Sequence, residues 1–186
     1  MRILPFFAIA LALLAPRGAS AGDAFSEPGL YVGLGGLVAI PTDLESGIDF
    51  ATGGLTARAG YRLHPRFAAE LHYEWLDSFE PSFFFSDEEI EPWALTADAR
   101  LYLLTSRVQP FLLAGAGILH AERERTLFGQ SSASDSTEFA ARFGVGLDVY
   151  VVGGLAVTFD TAYLLPTGPL EDLDYLALTL GLQYRF

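Results

Sequence analysis

The sequence has no cysteine and no lysine, and all 11 of its basic residues are arginine. Without cysteine, disulfide bonds cannot stabilise the chain, even in a compartment that would permit them. Soluble proteins use surface lysine for solubility and to protect sheet edges, so its absence weakens a soluble interpretation. The 23 carboxylates give a formal net charge of −12, which argues against a nucleic-acid partner.

Long apolar runs are also scarce, although 51% of the residues are hydrophobic. The run Ile3–Leu14 is too short for a membrane helix, and Arg2 before it and the small residues Ala19–Ala21 after it are typical of a secretory signal peptide. We therefore predict a signal peptide over residues 1–21 and one exported β-barrel domain over residues 22–186. A chain this apolar without a membrane helix must bury its apolar groups or present them to lipid through a barrel.

The remainder of the chain divides into eight segments in which apolar and small or polar residues alternate, as they do in β-strands. Ten residues are about what a tilted strand needs to cross a bilayer. We predict an all-β fold, an eight-stranded antiparallel up-and-down transmembrane β-barrel. The predicted strands are Leu30–Ile40, Leu55–Leu63, Phe67–Leu76, Trp93–Leu104, Phe111–Glu122, Phe139–Val151, Leu155–Leu165 and Tyr175–Phe186.

The connections between these segments alternate in length. The predicted long ones are Pro41–Gly54, Asp77–Pro92, Arg123–Glu138 and Pro166–Asp174. The predicted short ones are His64–Arg66, Thr105–Pro110 and Val152–Gly154, the last a tight hairpin signal. Long extracellular loops opposite short periplasmic turns are typical of outer-membrane barrels.

The two faces of each predicted strand decide which way the barrel is turned. In the last strand, bulky residues such as Leu180 and Leu182 share one face, and Thr179, Gly181 and Gln183 share the other. A soluble lipocalin-like barrel would bury the bulky face and expose the polar one, but this polar face is too small and too sparsely charged to be solvated. We predict that the bulky face contacts lipid. Interfacial aromatic girdles are expected from Tyr73, Trp75, Trp93, Tyr163, Tyr175 and Tyr184.

The inward set contains five arginines and five carboxylates. Charges inside a narrow lumen must be paired and hydrogen-bonded, and eight strands leave room for little besides side chains. We predict a lumen plugged by ion pairs, with a narrow ion channel as the alternative, and we place Gly115 and Gly117 inward. The predicted network comprises Arg58, Arg62, Glu70, Glu74, Asp98, Arg100, Arg142, Asp148, Asp160 and Arg185.

Three segments carry a family resemblance: Leu30–Gly35, Gln109–Gly117 and Gly181–Phe186. With them the chain resembles the OmpA-type and OmpX-like family of small outer-membrane β-barrel domains, without the peptidoglycan-binding domain of full-length OmpA, so no role in tethering the cell wall is expected. The resemblance implies that periplasmic chaperones and the barrel-assembly machinery are partners during biogenesis, and that outer-membrane lipids and lipopolysaccharide surround the folded barrel. The assembly signal that it implies comprises Leu180, Leu182, Tyr184 and Phe186.

Catalysis would require a nucleophile and a base near the outer rim. His64 lies in a predicted periplasmic turn, and His72 is expected to be salt-bridged or hydrogen-bonded in the lumen. His120 lies near the outer end of its strand with Glu122 two residues on, and Ser131, Ser132 and Ser134 lie in the next connection. Because no strand carries the His-x-Ser pair expected of a protein similar to a lipid A deacylase, we predict a non-enzymatic protein, with a lipid A-modifying enzyme as the alternative.

Two acidic segments, Asp87–Glu91 and Glu171–Asp174, could attract divalent cations. Neither has EF-hand spacing, and charge runs are usually solvated, so we predict no metal site and no cofactor. The apolar run Phe83–Phe85 could mark an exposed patch that binds another protein. We expect a structural or surface role in the cell envelope, with the outer loops available to a surface or host ligand.

Overall fold

The computed structural model describes residues 25–42, 51–77, 87–127 and 130–186. The predicted signal peptide and the Phe83–Phe85 run lie outside these residues. Eight strands and one short 3₁₀ helix, Gly168–Leu173, make up the described fold. The strands are β1 Gly29–Pro41, β2 Thr52–His64, β3 Phe67–Leu76, β4 Asp87–Tyr102, β5 Val108–Leu127, β6 Gln130–Val152, β7 Leu155–Pro166 and β8 Tyr175–Arg185.

The strands form one closed antiparallel sheet. Each strand pairs with the next along the chain, and β1 also pairs with β8, so the sheet has no free edge. Backbone hydrogen bonds are therefore satisfied all the way round the wall, as a barrel in lipid requires. This confirms the predicted eight-stranded up-and-down barrel. Among the described residues, no helix is both long enough and apolar enough to cross a membrane.

Two predicted connections are shorter than expected, since strand pairing continues into them. The prediction of a long serine-rich loop over Arg123–Glu138 is wrong, because β5 continues to Leu127 and β6 begins at Gln130. The connection predicted over Asp77–Pro92 ends early, because β4 begins at Asp87 opposite Thr126 of β5. These extensions are polar at most positions, so they lack the alternating hydrophobicity by which the membrane-crossing parts were recognised.

The short connections lie at one end of the barrel and define its short-turn end. Pro65 and Arg66 join β2 to β3, and Gly153 and Gly154 join β6 to β7. Gly153 has a φ of 51°, a left-handed conformation suited to glycine, which confirms the predicted tight hairpin. The opposite end, where β1, β3, β5 and β7 finish, is the long-loop end.

The predicted facing of the strands is confirmed. In β8, Leu180 and Leu182 are 62% and 55% exposed, whereas Thr179 of the same strand is buried. Gly115 and Gly117 face inward in β5, where any Cβ atom would collide with β4. The apolar surface therefore lies outside and the charged residues lie inside, the reverse of a soluble barrel.

One aromatic residue departs from the predicted girdle. Tyr175 lies on the same face of β8 as Ala177, so its side chain enters the lumen, where it is buried and its hydroxyl donates a hydrogen bond to Glu74. Its place at the end of a strand suggested the interface, but the alternation along β8 sets its direction. Tyr73, Trp75 and Trp93 lie on the outer face, near the long-loop end.

Candidate functional site in the barrel lumen

All ten residues of the predicted network lie inside the barrel. Each is no more than 6% exposed, so every one of these charges is removed from bulk water. They belong to β2, β3, β4, β6, β7 and β8, where they alternate with apolar residues that point outward. Unpaired charges in such a position would be strongly unfavourable, so the partners of each matter.

Arg142 of β6 has the most ion-pair partners. Its Nη1 lies 2.6 Å from Asp98 Oδ2, and its Nη2 lies 3.1 Å from Glu74 Oε1 and 3.4 Å from Asp160 Oδ1. These three carboxylates belong to β4, β3 and β7, so one guanidinium joins four strands across the lumen. The planar fork of arginine suits such multiple pairing.

Arg100 and Arg58 form further ion pairs in the lumen. Arg100 Nε lies 3.0 Å from Glu70 Oε1, and its Nη1 lies 3.7 Å from Asp148 Oδ2. Arg58 Nη2 donates a 2.9 Å hydrogen bond to Asp160 Oδ2. Because Asp160 also contacts Arg142, the arginines of β2 and β6 share a carboxylate of β7.

Tyrosine hydroxyls also bind three carboxylates of the network, among them Asp148, which accepts a 3.2 Å hydrogen bond from Tyr102. The sequence analysis assigned none of these tyrosines to the lumen. Tyr31 donates a 2.8 Å hydrogen bond to Glu70 Oε2, and Tyr175 donates a 2.7 Å bond to Glu74 Oε2. A buried tyrosine normally needs a partner for its hydroxyl. The signal that could have identified them is the alternation of inward and outward positions, since Tyr31 shares the inward face of β1 with Gly33, and Tyr175 shares that of β8 with Ala177.

Arg62 and Arg185 are placed apart from this network, at the short-turn end. Both donate hydrogen bonds to the backbone carbonyl of Phe25, at 3.0 and 2.6 Å, and Arg62 also reaches Gln109 Oε1 at 2.7 Å. Arg185 contacts the hydroxyl of Tyr150 at 3.3 Å. The two arginines thus fasten the segment that precedes β1 across the short-turn mouth.

The separation of these two arginines changes the charge balance. The central cluster then contains Arg58, Arg100 and Arg142 with Glu70, Glu74, Asp98, Asp148 and Asp160. Three positive and five negative groups give 3 − 5 = −2 while His72 is neutral. All ten charges counted from the sequence are buried, but the balance of five against five does not hold for the middle layer.

His72 of β3 lies in this layer between two glutamates. Its Nε2 is 2.9 Å from Thr56 Oγ1 and 3.1 Å from Glu74 Oε1, and its Nδ1 is 3.9 Å from Glu70 Oε1. Ligand atoms of Glu70, His72 and Asp98 lie within 4.8 Å of one another. The lumen therefore brings together three residues of the kinds that bind metal ions.

Apolar residues form a buried cluster at the long-loop end, above the charged layer. Leu170 and Leu173 of the 3₁₀ helix are 2% and 7% exposed and pack in a cluster with inward residues of the strands. The helix is held by Asp174, which accepts hydrogen bonds from the side chains of Thr42 and Tyr163. The sequence analysis treated this segment as a loop, although two leucines three residues apart share a face of a 3₁₀ helix.

His120 lies outside the lumen, on the lipid-facing side of β5. Its ring stacks on Trp93 with centroids 5.1 Å apart, Nδ1 is 2.7 Å from Thr137 Oγ1, and Nε2 is 3.6 Å from Glu122 Oε1. Ser136 is the neighbour of Thr137 along β6 but pairs with Ala121, and Ser134 lies three residues from Thr137. The hydroxyl beside His120 is therefore that of a threonine, which the sequence analysis did not consider.

The residues of the predicted assembly signal share the outer face of β8 and its end. Leu180 and Leu182 are exposed, and the rings of Tyr184 and Phe186 meet edge to face, with centroids 5.1 Å apart. This places an apolar and aromatic ridge beside the seam where β8 pairs with β1.

The sequence profile of the family described as "outer membrane protein beta-barrel domain" matches residues 7–186. No match was found among curated protein sequences. Several solved structures share the fold. Ail, the attachment invasion locus protein of Yersinia pestis, is 17% identical with a TM-score of 0.59, over 86% of this chain and 97% of that one. Neisserial surface protein A is 18% identical with a TM-score of 0.61, over 86% and 99%. OprG from Pseudomonas aeruginosa is 14% identical with a TM-score of 0.63, over 88% and 98%.

Proposed function

Because this chain belongs to the outer membrane protein β-barrel domain family, we propose that it is a non-enzymatic structural and surface protein whose lumen is plugged. As a member of that family it resides in the outer membrane. Outer-membrane lipids and lipopolysaccharide surround its apolar face. Periplasmic chaperones and the barrel-assembly machinery insert it, guided by the ridge that ends at Phe186.

The observation that carries this proposal is the set of contacts across the lumen. Arg142 joins carboxylates of three other strands, and the apolar cluster with Leu170 and Leu173 lies above it. A conducting path would have to break several buried ion pairs at once, which is strongly unfavourable. A rigid, filled barrel is suited to reinforcing the membrane and to presenting loops to a surface or host ligand.

A strain of the source bacterium that lacks this chain tests the structural role. We expect greater sensitivity to detergents and to large antibiotics that an intact outer membrane excludes. The wild-type chain and the variant His120→Ala should both restore resistance, because the proposed role needs the barrel and not an active site. Unchanged resistance in the deletion strain, or rescue by the wild-type chain alone, would contradict the proposal.

One observation favours a second candidate function, lipid A modification by acyl transfer. The side chains of Thr137, His120 and Glu122 form a hydroxyl–imidazole–carboxylate series on the lipid-facing side near the long-loop end. Such a series can activate a hydroxyl as a nucleophile. The 3.6 Å separation of His120 and Glu122 is longer than a hydrogen bond, and the stack on Trp93 also suits a purely interfacial role.

Mass spectrometry of lipid A distinguishes the two candidates. Lipid A from cells expressing the wild-type chain is compared with that from cells expressing His120→Ala, with His64→Ala as the matched control at the opposite end of the barrel. We expect the three acylation profiles to be identical. A change in acyl chains that depends on His120 and not on His64 would establish the enzyme instead.

A further inference from the structure

We propose that the middle of the lumen binds one divalent first-row transition-metal ion through Glu70, His72 and Asp98. Their ligand atoms lie within 4.8 Å of one another, and all three side chains are buried. Ligands of a Zn²⁺ ion are about 2 Å from the metal and hence roughly 3.4 Å apart, so small rotations of the carboxylates would close the site. This inference builds on the closed lumen proposed above.

The orientation of His72 supports metal binding most directly. Its Nε2 lies 3.1 Å from Glu74 Oε1 and 2.9 Å from Thr56 Oγ1, so the ring proton is assigned to that nitrogen. Nδ1 then presents a lone pair towards Glu70, and it has no hydrogen-bond partner among the described residues. A histidine that ligates metal commonly donates its other N–H to a carboxylate in this way.

The two carboxylates keep an oxygen for the metal while their positions are fixed by other groups. Asp98 Oδ2 pairs with Arg142 at 2.6 Å, whereas Asp98 Oδ1 is buried and lacks a hydrogen-bond partner within the described residues. Glu70 Oε2 accepts the hydrogen bond of Tyr31, and Glu70 Oε1 lies 3.9 Å from His72 Nδ1 and 3.0 Å from Arg100 Nε, so a metal ion would share this oxygen with the arginine. Buried polar atoms without partners are rare in native proteins and call for an explanation.

The charge of the cluster favours a dication. Three arginines against five carboxylates leave a formal charge of 3 − 5 = −2 in a buried layer. Such an excess is unfavourable at low dielectric unless a cation or two protons balance it. One divalent ion neutralises the layer and also satisfies the free nitrogen of His72.

The mixed ligand set points to the class of metal. Imidazole suits zinc, iron, nickel and copper, whereas sites for magnesium and calcium are built from oxygen ligands alone. A site of one nitrogen and two carboxylates therefore favours a transition-metal ion. Magnesium is therefore not expected to compete with the transition-metal ion for this site.

Zinc retention by the refolded chain tests this inference. The chain is refolded in detergent micelles with ZnCl₂ and excess MgCl₂, desalted, and analysed for zinc by plasma mass spectrometry, and heat-modifiable gel migration identifies the folded fraction. We expect about one zinc per folded wild-type chain and little in His72→Gln or Asp98→Asn, because each lacks one of three ligands. Having zinc present during refolding removes any barrier to its entry through a closed lumen.

The controls are His64→Gln and His120→Gln, which change histidines outside the lumen and should retain zinc as the wild type does. Zinc should also raise the unfolding temperature of the wild type and of both controls, but not that of His72→Gln. If His72→Gln does not refold, Asp98→Asn decides the question. Folded wild type without zinc, or equal zinc in the lumen variants, would overturn the inference. Steady ion currents through the barrel would instead count against the closed lumen, whatever the zinc content.

Discussion

At the scale of residues, the lumen contains buried charges that are energetically favourable only when they are paired with opposite charges. Arg142 contacts Glu74, Asp98 and Asp160, and none of these groups can reach bulk water. Removing one partner of a buried ion pair leaves the other charge uncompensated, which is more harmful than replacing both. The change in stability caused by a single substitution therefore measures the contribution of the network more directly than the number of its contacts does.

Arg142→Met should destabilise the barrel by about 3–5 kcal/mol, because it keeps the side-chain length and leaves three carboxylates without this guanidinium. Urea unfolding of the chain in lipid vesicles, followed by tryptophan fluorescence, measures the change. Arg66→Met, in an exposed turn at the short-turn end, is the matched control and should change stability by less than about 0.5 kcal/mol. Equal unfolding midpoints for the two variants would show that the network contributes no stability.

At the scale of elements, the contact between β4 and β5 depends on a glycine. A Cβ atom on Gly117 would collide with the backbone of Leu95 and Thr96, which cannot move without disturbing the sheet. Gly36 lies on the outer face of β1, where the nearest atom to such a Cβ, Gly54 O, is 3.9 Å away. Replacement of glycine by alanine is therefore expected to have different effects on stability at the two positions.

Gly117→Ala should lower stability by about 1–3 kcal/mol through overpacking, whereas Gly36→Ala should be neutral or slightly stabilising. The unfolding free energies of the two variants in detergent micelles test this. A neutral Gly117→Ala would mean that β4 and β5 are farther apart than described.

The 3₁₀ helix Gly168–Leu173 packs into the apolar cluster at the long-loop end through its leucines. Leu170→Ala should cost about 2–5 kcal/mol because it leaves a cavity in the apolar cluster. Glu171→Ala changes the exposed neighbour and should have little effect. Thermal unfolding followed by circular dichroism compares them, and similar melting temperatures would exclude a packing role for the helix.

These elements also show how far sequence reasoning reaches. The alternation of Leu180 and Leu182 with Thr179 predicted the barrel and its facing, because a period of two fixes both. It missed the distal parts of β4, β5 and β6, whose polar residues have no such pattern. It placed Tyr175 at the interface because it gave the position at a strand end more weight than the alternation along β8. It overlooked Leu170 because this residue lies outside the membrane-crossing periodicity.

The lumen shows a similar division. Sequence identified the ten inward charges, since each falls on the small or polar face of its strand. It could not divide them into layers, because the positions of Arg62 and Arg185 at the short-turn end depend on Phe25, which precedes the first strand. The excess negative charge beside His72 follows only from that division.

At the scale of the whole molecule, a charged layer lies between the apolar cluster at the long-loop end and the arginines that bind Phe25 at the short-turn end. Among the described residues, the membrane-crossing strands present apolar side chains outward and buried charged side chains inward, as expected of a barrel with eight strands. The proposed function rests on this arrangement: a barrel held together by ion pairs across its lumen would reinforce the membrane without opening a path through it.

Conductance in planar lipid bilayers tests this closed lumen most directly. The folded wild-type chain, checked by heat-modifiable gel migration, is inserted into the bilayer and recorded over a range of voltages. The network of Arg58, Arg100 and Arg142 predicts no steady current above that of the protein-free bilayer. Stable, long-lived openings of the wild-type chain would contradict the account.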